Sequence, residues 1–250
     1  MNYHDDKSHS LSSDSFVTLI EIATQGNAKL YAQDLAPNNE NIKLVFNHAF
    51  TSTNSVQDEA MQDLQDSIML SHLAANKKID MFSDWITWVD TYYQIFEKLG
   101  WTLSEFDSPQ QDHSNSQKSI WDFFNSFSDY MPISKIVTKL HEISAGRRGS
   151  RTLEALEEHS HREKSFIFTV SYLDFVGGEY IHYEFRIKID GKFPIRSVKE
   201  HAGSSIGDVV LTSRSTRILN LDVYGAHRTA VREKLEKYGP KDWPIVLTGH

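Results

Sequence analysis

The spacing of apolar residues changes near residue 165, from helical spacing to strict alternation. Between Met81 and Gly100 the large apolar residues recur at helical spacing: Trp85, Trp88, Val89, Tyr92, Ile95, Phe96 and Leu99. From Tyr180 to Ile189 the chain alternates Ile181, Tyr183, Phe185, Ile187 and Ile189 with Tyr180, His182, Glu184, Arg186 and Lys188. Such alternation is typical of a strand with one buried and one solvated face. The pattern predicts an α+β protein, with helices first and an antiparallel sheet second.

Helical spacing also predicts the elements around the first stripe. One helix is expected from Ser55 to about Lys77, and a second from about Asp80 to Leu99, where Gly100 ends it. Few residues separate these helices, so they should pack as an antiparallel pair. The polar segment 104–118 has no apolar stripe, and we predict a loop there, the best internal candidate for disorder.

Two strands joined by a tight turn are predicted after residue 165. They run from Phe166 to Phe175 and from Tyr180 to Asp190, and the intervening Gly-Gly pair supplies the positive φ angles of a hairpin turn. Further strands are predicted at 209–212 and 217–224, followed by a helix at about 227–238. The predicted sheet has about four or five strands.

The predicted organisation has three parts: a flexible N-terminus (1–14), a mainly helical part (15–163), and an antiparallel sheet with a C-terminal helix (164–250). We expect the last two parts to form one cooperative domain. The helix at 81–99 should then pack on the apolar face of the hairpin, because that face needs a helical cover. The largest side chains available for this cover are Trp85, Trp88, Tyr92 and Phe96.

Composition and charge exclude several classes of function. The 250 residues include no cysteine, which excludes disulfides, thiolate catalysis and cysteine-ligated metals. The net charge of -8 opposes binding to nucleic acid. The first residues lack signal-peptide features, and no apolar run reaches the roughly 18 residues of a membrane helix. We expect a soluble protein, either cytoplasmic or secreted without a cleavable signal peptide, that binds no nucleic acid.

His159 and His161, with three nearby glutamates, form the densest group of metal-ligand residue types. Histidines two residues apart diverge on a helix, and the i, i+4 spacing of helical zinc sites does not occur here. We therefore predict a solvated helix end, with no metal ion and no cofactor. If a metal did bind, His182 would be the expected third ligand.

Two groups of arginines are of interest. Arg147 and Arg148 lie in a glycine-flanked loop before a predicted helix, which suits either a phosphate site or a plain surface connection. Arg214, Arg217 and Arg228 are expected on one side of the C-terminal sheet, as an ordinary charged face. No nucleophile motif such as G-x-S-x-G is present, so catalysis is left open but not favoured.

The segment Phe82-Ser83-Asp84-Trp85, with Tyr92 and Gly100-Trp101, has the cadence F-x-x-W-x6-Y-x7-G-W. It resembles a segment of small cysteine-free bacterial proteins from virulence-associated gene clusters, some of which lie beside α-helical pore-forming toxins. The resemblance covers residues 82–101 only, and its motif is aromatic packing, so it implies an accessory or binding role and no catalytic residue. The chain lacks the long hydrophobic hairpin of the pore-formers themselves.

Two classes of function follow from these observations. The first is a non-enzymatic binding or accessory protein with a protein partner, whose oligomeric state is open. The second is a small-molecule or lipid binder, or a hydrolase, with a pocket between sheet and helices. The candidate contact residues for a partner or ligand are Trp85, Trp88, Tyr92, Tyr93, Arg147 and Arg148.

Overall fold

The computed structural model describes residues 42–112, 158–190, 209–238 and 245–247, together with Val17, Ser134, Ile136 and Thr138. Within these ranges the helices are α1 (Asp58–Lys78), α2 (Trp85–Lys98) and α3 (Leu221–Tyr238). The strands are β1 (Ile42–Val45), β2 (His48–Ser52), β3 (Trp101–Asp112), β4 (His161–Arg162), β5 (Ser165–Val176), β6 (Glu179–Asp190), β7 (Val209–Leu219) and β8 (Ile245–Leu247). No helix in the described ranges is long and apolar enough to cross a membrane.

The strands form one sheet in the order β3-β7-β6-β5-β2-β1-β8, and β4 pairs with β5 off this path. Strands β2 and β5 run parallel, whereas β5, β6, β7 and β3 form consecutive antiparallel pairs. The α+β class is confirmed. The predicted antiparallel sheet of four or five strands is wrong in size and type, because eight described strands join a mixed sheet.

The β5–β6 hairpin has the predicted turn. Gly177 and Gly178 have φ angles of 63° and 92°, a region that L side chains rarely adopt. Their flanking residues Val176 and Glu179 are the last pair of a ladder that continues without a shift to Ser165 and Asp190. The predicted strand bounds are therefore confirmed to within a residue.

Three local predictions are wrong. Strand β3 occupies the first part of the predicted polar loop 104–118, and β7 is continuous where two strands were predicted. Residues 221–224 begin α3 and do not extend a strand. Strands β1, β2 and β3 lie within residues 15–163, together with α1 and α2. Strand β3 gave no alternation signal because it is the last strand of the sheet order and residues 102–107 are exposed.

Side-chain hydrogen bonds join helix α1 to α2 and to α3. The indole Nε1 of Trp88 on α2 donates to Asn76 Oδ1 at 2.7 Å. On the α3 side, Arg228 donates through Nε and Nη2 to the two carboxylate oxygens of buried Asp63, at 2.9 and 2.7 Å. Two parallel bonds of this kind fix both the distance and the angle between side chains, so the pair sets how α3 lies on α1.

Helix α2 packs on the face of β6 that the sequence predicted to be solvated. The Arg186 guanidinium lies 4.1 Å from the ring centroid of Tyr92, and the rings of Phe96 and His182 are 5.6 Å apart. The prediction that α2 covers the apolar face is therefore wrong. The apolar face is buried as well, with Ile187 and Ile189 each 1% exposed. A strand that is buried on both faces can carry charges on one of them when those charges are paired.

Candidate functional site

Six polar side chains gather beneath α2, and we call them the buried ionic cluster: His48, Tyr93, His182, Glu184, Arg186 and Arg217. None is more than 7% exposed. Charged side chains are almost never fully buried unless they are paired. Their concentration in the core therefore makes this cluster the first candidate for a functional site.

Strand geometry explains why these residues meet. Alternate residues of a strand share a face, so His182, Glu184 and Arg186 point the same way from β6. In the ladder with β7, His182 lies opposite Arg217 and Glu184 lies opposite Ser215. Strand β2 brings His48 to the same face, and its Nε2 lies 2.7 Å from Ser171 Oγ on β5.

Glu184 and Arg186 form the central ion pair. Arg186 Nε lies 2.8 Å from Glu184 Oε1, and Nη2 lies 3.1 Å from Oε2. Tyr93 of α2 donates a third bond to Oε1 at 2.6 Å. Burial alone would raise the pKa of the Glu184 carboxyl, but Arg186 and the nearby histidines hold that pKa well below its usual range. The carboxylate therefore stays ionised and carries one negative charge.

No carboxylate of the described residues forms an ion pair with Arg217. Among the described residues its Nε and Nη1 atoms are buried and lack a hydrogen-bond partner. Its guanidinium lies 3.9 Å from the Tyr93 ring centroid and 6.0 Å from that of Phe96. A desolvated cation–π contact contributes about 2 kcal/mol, whereas burying an unpaired ion costs several kcal/mol. The aromatic rings therefore offset only part of the cost of burying this charge.

The two histidines of the cluster are neutral. Burial lowers the pKa of His182 to about 4, against the raising effect of Glu184. Burial also lowers the pKa of His48 well below its ordinary value. Among the described residues, neither ring nitrogen of His182 has a hydrogen-bond partner. With Glu184 negative and both Arg186 and Arg217 positive, the cluster has an excess of one positive charge.

His48, His182 and Glu184 each offer one ligand atom, and these atoms all lie within 4.8 Å of one another. Two imidazoles and a carboxylate are a ligand set that zinc and ferrous iron accept. The charge of the cluster opposes a metal, because a divalent cation would add to a positive excess. The donor types therefore fit a metal ion, but the electrostatics do not.

A cleft of about 240 Å³ opens where β3, β7 and β6 meet. Its lining consists of Glu105, Phe106, Asp107, Tyr183, Glu184, Phe185, Arg214, Ser215 and Thr216. Tyr183 and Phe185 alternate along β6 with the cluster residues, so they point away from α2. The Arg214 guanidinium lies 5.4 Å from the Phe185 ring centroid, and this residue is exposed. We call this site the β3 cleft.

The predicted contact residues of α2 lie inside the protein. Trp85, Trp88, Tyr92 and Tyr93 are between 0% and 7% exposed. Their packing partners include the cluster, since Arg186 lies within 5.5 Å of the ring centroids of Trp88, Tyr92 and Tyr93. Arg147 and Arg148 lie outside the described residues, as does the predicted flexible N-terminus at 1–14.

The predicted histidine and arginine groups are arranged differently from expectation. His159 packs its ring at 5.3 Å from Phe46, while His182 joins His48 and Glu184. Arg214 and Arg217 point to opposite faces of β7, and Arg228 pairs with Asp63 of α1. These three arginines therefore do not form one charged face.

Sequence reasoning missed the cluster because its members come from four separate elements. Alternation along β6 did place His182, Glu184 and Arg186 on one face, and that was the available signal. The sequence did not reveal the register between β6 and β7, and it is this register that brings Arg217 opposite His182. Nothing local to residues 42–52 showed that His48 would join them.

No protein-family model and no curated protein matches this chain. Among solved structures, the "Structure of the Evf virulence factor" has a TM-score of 0.42 and 11% identity over 79% of this chain and 84% of that chain. A delta-endotoxin has a TM-score of 0.41 and 8% identity over 81% of this chain and 96% of that chain. The similarity is too low for the function of either protein to be transferred to this chain.

Proposed function

We propose that this chain is a non-enzymatic binding protein. In this proposal an extended segment of a partner protein lies along strand β3 and inserts one basic side chain into the β3 cleft. The observation that carries the proposal is the position of an open cleft beside a strand that, among the described strands, pairs on one side only. The role implied by residues 82–101, an accessory protein of a virulence or toxin gene cluster, is compatible with it and is part of the proposal.

Strand β3 has the properties of an edge that can accept another strand. It is the last strand of the sheet order and, among the described strands, pairs only with β7. Residues 102–107 are exposed, including 38% of Leu103 and 41% of Phe106. An edge strand presents unpaired N–H and C=O groups, and an extended peptide can pair with them. In that mode the main chain gives affinity and side-chain pockets give specificity.

The size of the cleft favours a peptide partner over the small-molecule or lipid alternative. Pockets for drug-sized ligands and cofactors measure about 300–1,000 Å³. The β3 cleft measures about 240 Å³, which suits one side chain of a larger partner.

The charges around the cleft favour a basic side chain. Glu105 and Asp107 contribute two carboxylates from β3, against the single guanidinium of Arg214, and the third carboxylate of the lining, Glu184, is already paired with Arg186. The Arg214 guanidinium already lies over the Phe185 ring, and the Tyr183 ring stacks on that of Tyr172, so the carboxylates are the groups that attract a basic side chain. The net charge of -8 also attracts basic partners during diffusional encounter.

Selection from a random heptapeptide library tests this proposal. We expect the selected peptides to share a Lys or Arg and to bind saturably. The double variant Glu105→Gln, Asp107→Asn should weaken their binding at least tenfold, because both changes keep side-chain shape and remove only charge. The matched control is Asp90→Asn, Glu97→Gln, which removes the same charge from exposed positions on α2. Peptides without a basic residue, or equal binding by both double variants, would contradict the proposal.

A second copy of this chain is an alternative occupant of the β3 edge. Sedimentation of the purified protein distinguishes the two, because pairing between copies would give a concentration-dependent dimer. If Lys substitutions at Leu103 and Phe106 weakened such a dimer, the edge of β3 would be a self-association surface. The proposed partner would then be a second copy of this chain. The proposal predicts a monomer in the absence of peptide.

A further inference from the structure

His182 and Arg217 lie directly opposite each other on β6 and β7. Among the described residues, both ring nitrogens of His182 and two nitrogens of Arg217 are buried without a hydrogen-bond partner. Buried polar groups in native proteins are almost always satisfied, and an exception calls for a water or an ion. We propose that these two side chains bind a small monovalent inorganic anion, such as chloride, within the buried ionic cluster.

The sign of the charge selects an anion over a metal ion. Glu184 is already engaged by both Arg186 and Tyr93, so it does not neutralise Arg217. One bound anion would bring the cluster from a positive excess of one to neutrality. A divalent cation on His48, His182 and Glu184 would triple that excess. A water molecule would accept the hydrogen bonds but leave the charge unbalanced.

The donors also suit an anion. Arg217 offers unused N–H groups on Nε and Nη1, which point to different sides of the guanidinium, so the anion takes up one of them. A neutral imidazole carries one N–H donor, and the aromatic rings of Phe96 and Trp101 lie 5.6 Å from the His182 ring. Hydrogen bonds to a charged acceptor are stronger in a site of low dielectric constant. The anion would enter during folding or local opening, because none of these side chains is accessible in the closed protein.

Thermal unfolding in chloride tests the proposal at constant ionic strength, with gluconate as the replacing anion because it is too large for the site. We expect the melting temperature to rise by roughly 3–6 °C for each tenfold increase in chloride above the dissociation constant. Arg217→Met should abolish this dependence. The control Arg214→Met, on the same strand but the opposite face, should retain it. No dependence in the unmodified protein would overturn the proposal.

Crystals grown in bromide provide a second test that needs no variant. An anomalous bromide peak within hydrogen-bond distance of Arg217 would support the anion site. An empty or water-filled position would contradict it. Stoichiometric zinc or iron in the purified protein, lost in His182→Gln, would also overturn it in favour of a metal site at His48, His182 and Glu184.

Discussion

The hydroxyl of Tyr93 lies 2.6 Å from Glu184 Oε1, and this hydrogen bond joins helix α2 to strand β6. It anchors an amphipathic helix to a sheet face that carries ionised side chains. The neighbouring residue Tyr92 also faces the sheet, but among the described residues its buried hydroxyl has no hydrogen-bond partner. Two adjacent buried tyrosines therefore differ in one respect: within the described part of the chain, the hydroxyl of Tyr93 is hydrogen-bonded, and that of Tyr92 is not.

That difference predicts opposite effects of two matched substitutions. Tyr93→Phe should lower the free energy of unfolding by about 1.5–3 kcal/mol, the usual contribution of a hydrogen bond to a charged group. Tyr92→Phe should leave it unchanged or raise it, because the change removes a buried hydroxyl that bonds to nothing. Urea denaturation measures both. Equal losses in the two variants would show that the hydroxyl of Tyr93 has no special role.

The central ion pair predicts a larger effect. Glu184→Gln leaves Arg186 buried without a negative partner and should lower the free energy of unfolding by about 3–5 kcal/mol. The matched control is Asp190→Asn on the same strand, whose carboxylate pairs with Lys188 at 2.9 Å and is 37% exposed. That control should cost less than about 1 kcal/mol. A small loss in Glu184→Gln would mean that the charges of the cluster are solvated.

The packing of α2 predicts a contrast between two of its residues. Trp88 is 0% exposed and Ile86 is 56% exposed. Trp88→Ala should lower the free energy of unfolding by about 3–5 kcal/mol, the range for truncation of a large buried aromatic. Ile86→Ala should change it by less than about 0.5 kcal/mol. Similar effects at both positions would contradict the assignment of the buried face of α2.

Buried His72 predicts a pH dependence. Burial lowers its pKa well below the ordinary value, with smaller contributions from His159, Arg186 and His48. The unfolded imidazole gains a proton below pH of about 6.5, whereas the folded one stays neutral. The unfolded state then binds more protons, so the free energy of unfolding falls as pH drops, by up to about 1.4 kcal/mol per pH unit from this residue.

His72→Phe isolates that contribution. The phenyl ring can keep the stacking on Phe46, whose ring centroid lies 4.2 Å from that of His72, but it cannot take up a proton. Urea denaturation at pH 7.5 and 5.0 should show a smaller decrease for the variant than for the unmodified protein. An identical decrease in both proteins would mean that His72 is already protonated, or already exposed, in the folded state.

Periodicity was sufficient for the strong elements. The alternation at 180–189 and the Gly-Gly pair defined the β5–β6 hairpin, since both signals are local in the chain. Aromatic residues at helical spacing likewise defined α2. The apolar stripe of α2 did not reveal which face of the sheet the helix covers. Hydropathy predicts that a helix covers the apolar face of a strand, whereas α2 covers the polar face of β6. Here the polar face of β6 is buried as well, and the charges of Glu184 and Arg186 neutralise each other under α2.

The remaining features depend on contacts between distant parts of the chain. Strand β3 has polar residues and a proline, and only its ladder with β7 makes it a strand. The buried ionic cluster joins residues as far apart as His48 and Arg217, which no local pattern connects. The β3 cleft likewise exists only where β3, β6 and β7 meet. These are consequences of register, which is set by the folded sheet.

Hydrogen exchange tests the proposed function most directly. The backbone amides of β3 should exchange more slowly when a heptapeptide selected for binding is present at saturation, because the proposed peptide pairs with the edge of β3 that does not face β7. The amides of β1, which lies near the other end of the strand order, should exchange at unchanged rates. Protection confined to any other part of the chain, with β3 unaffected, would contradict the proposed function.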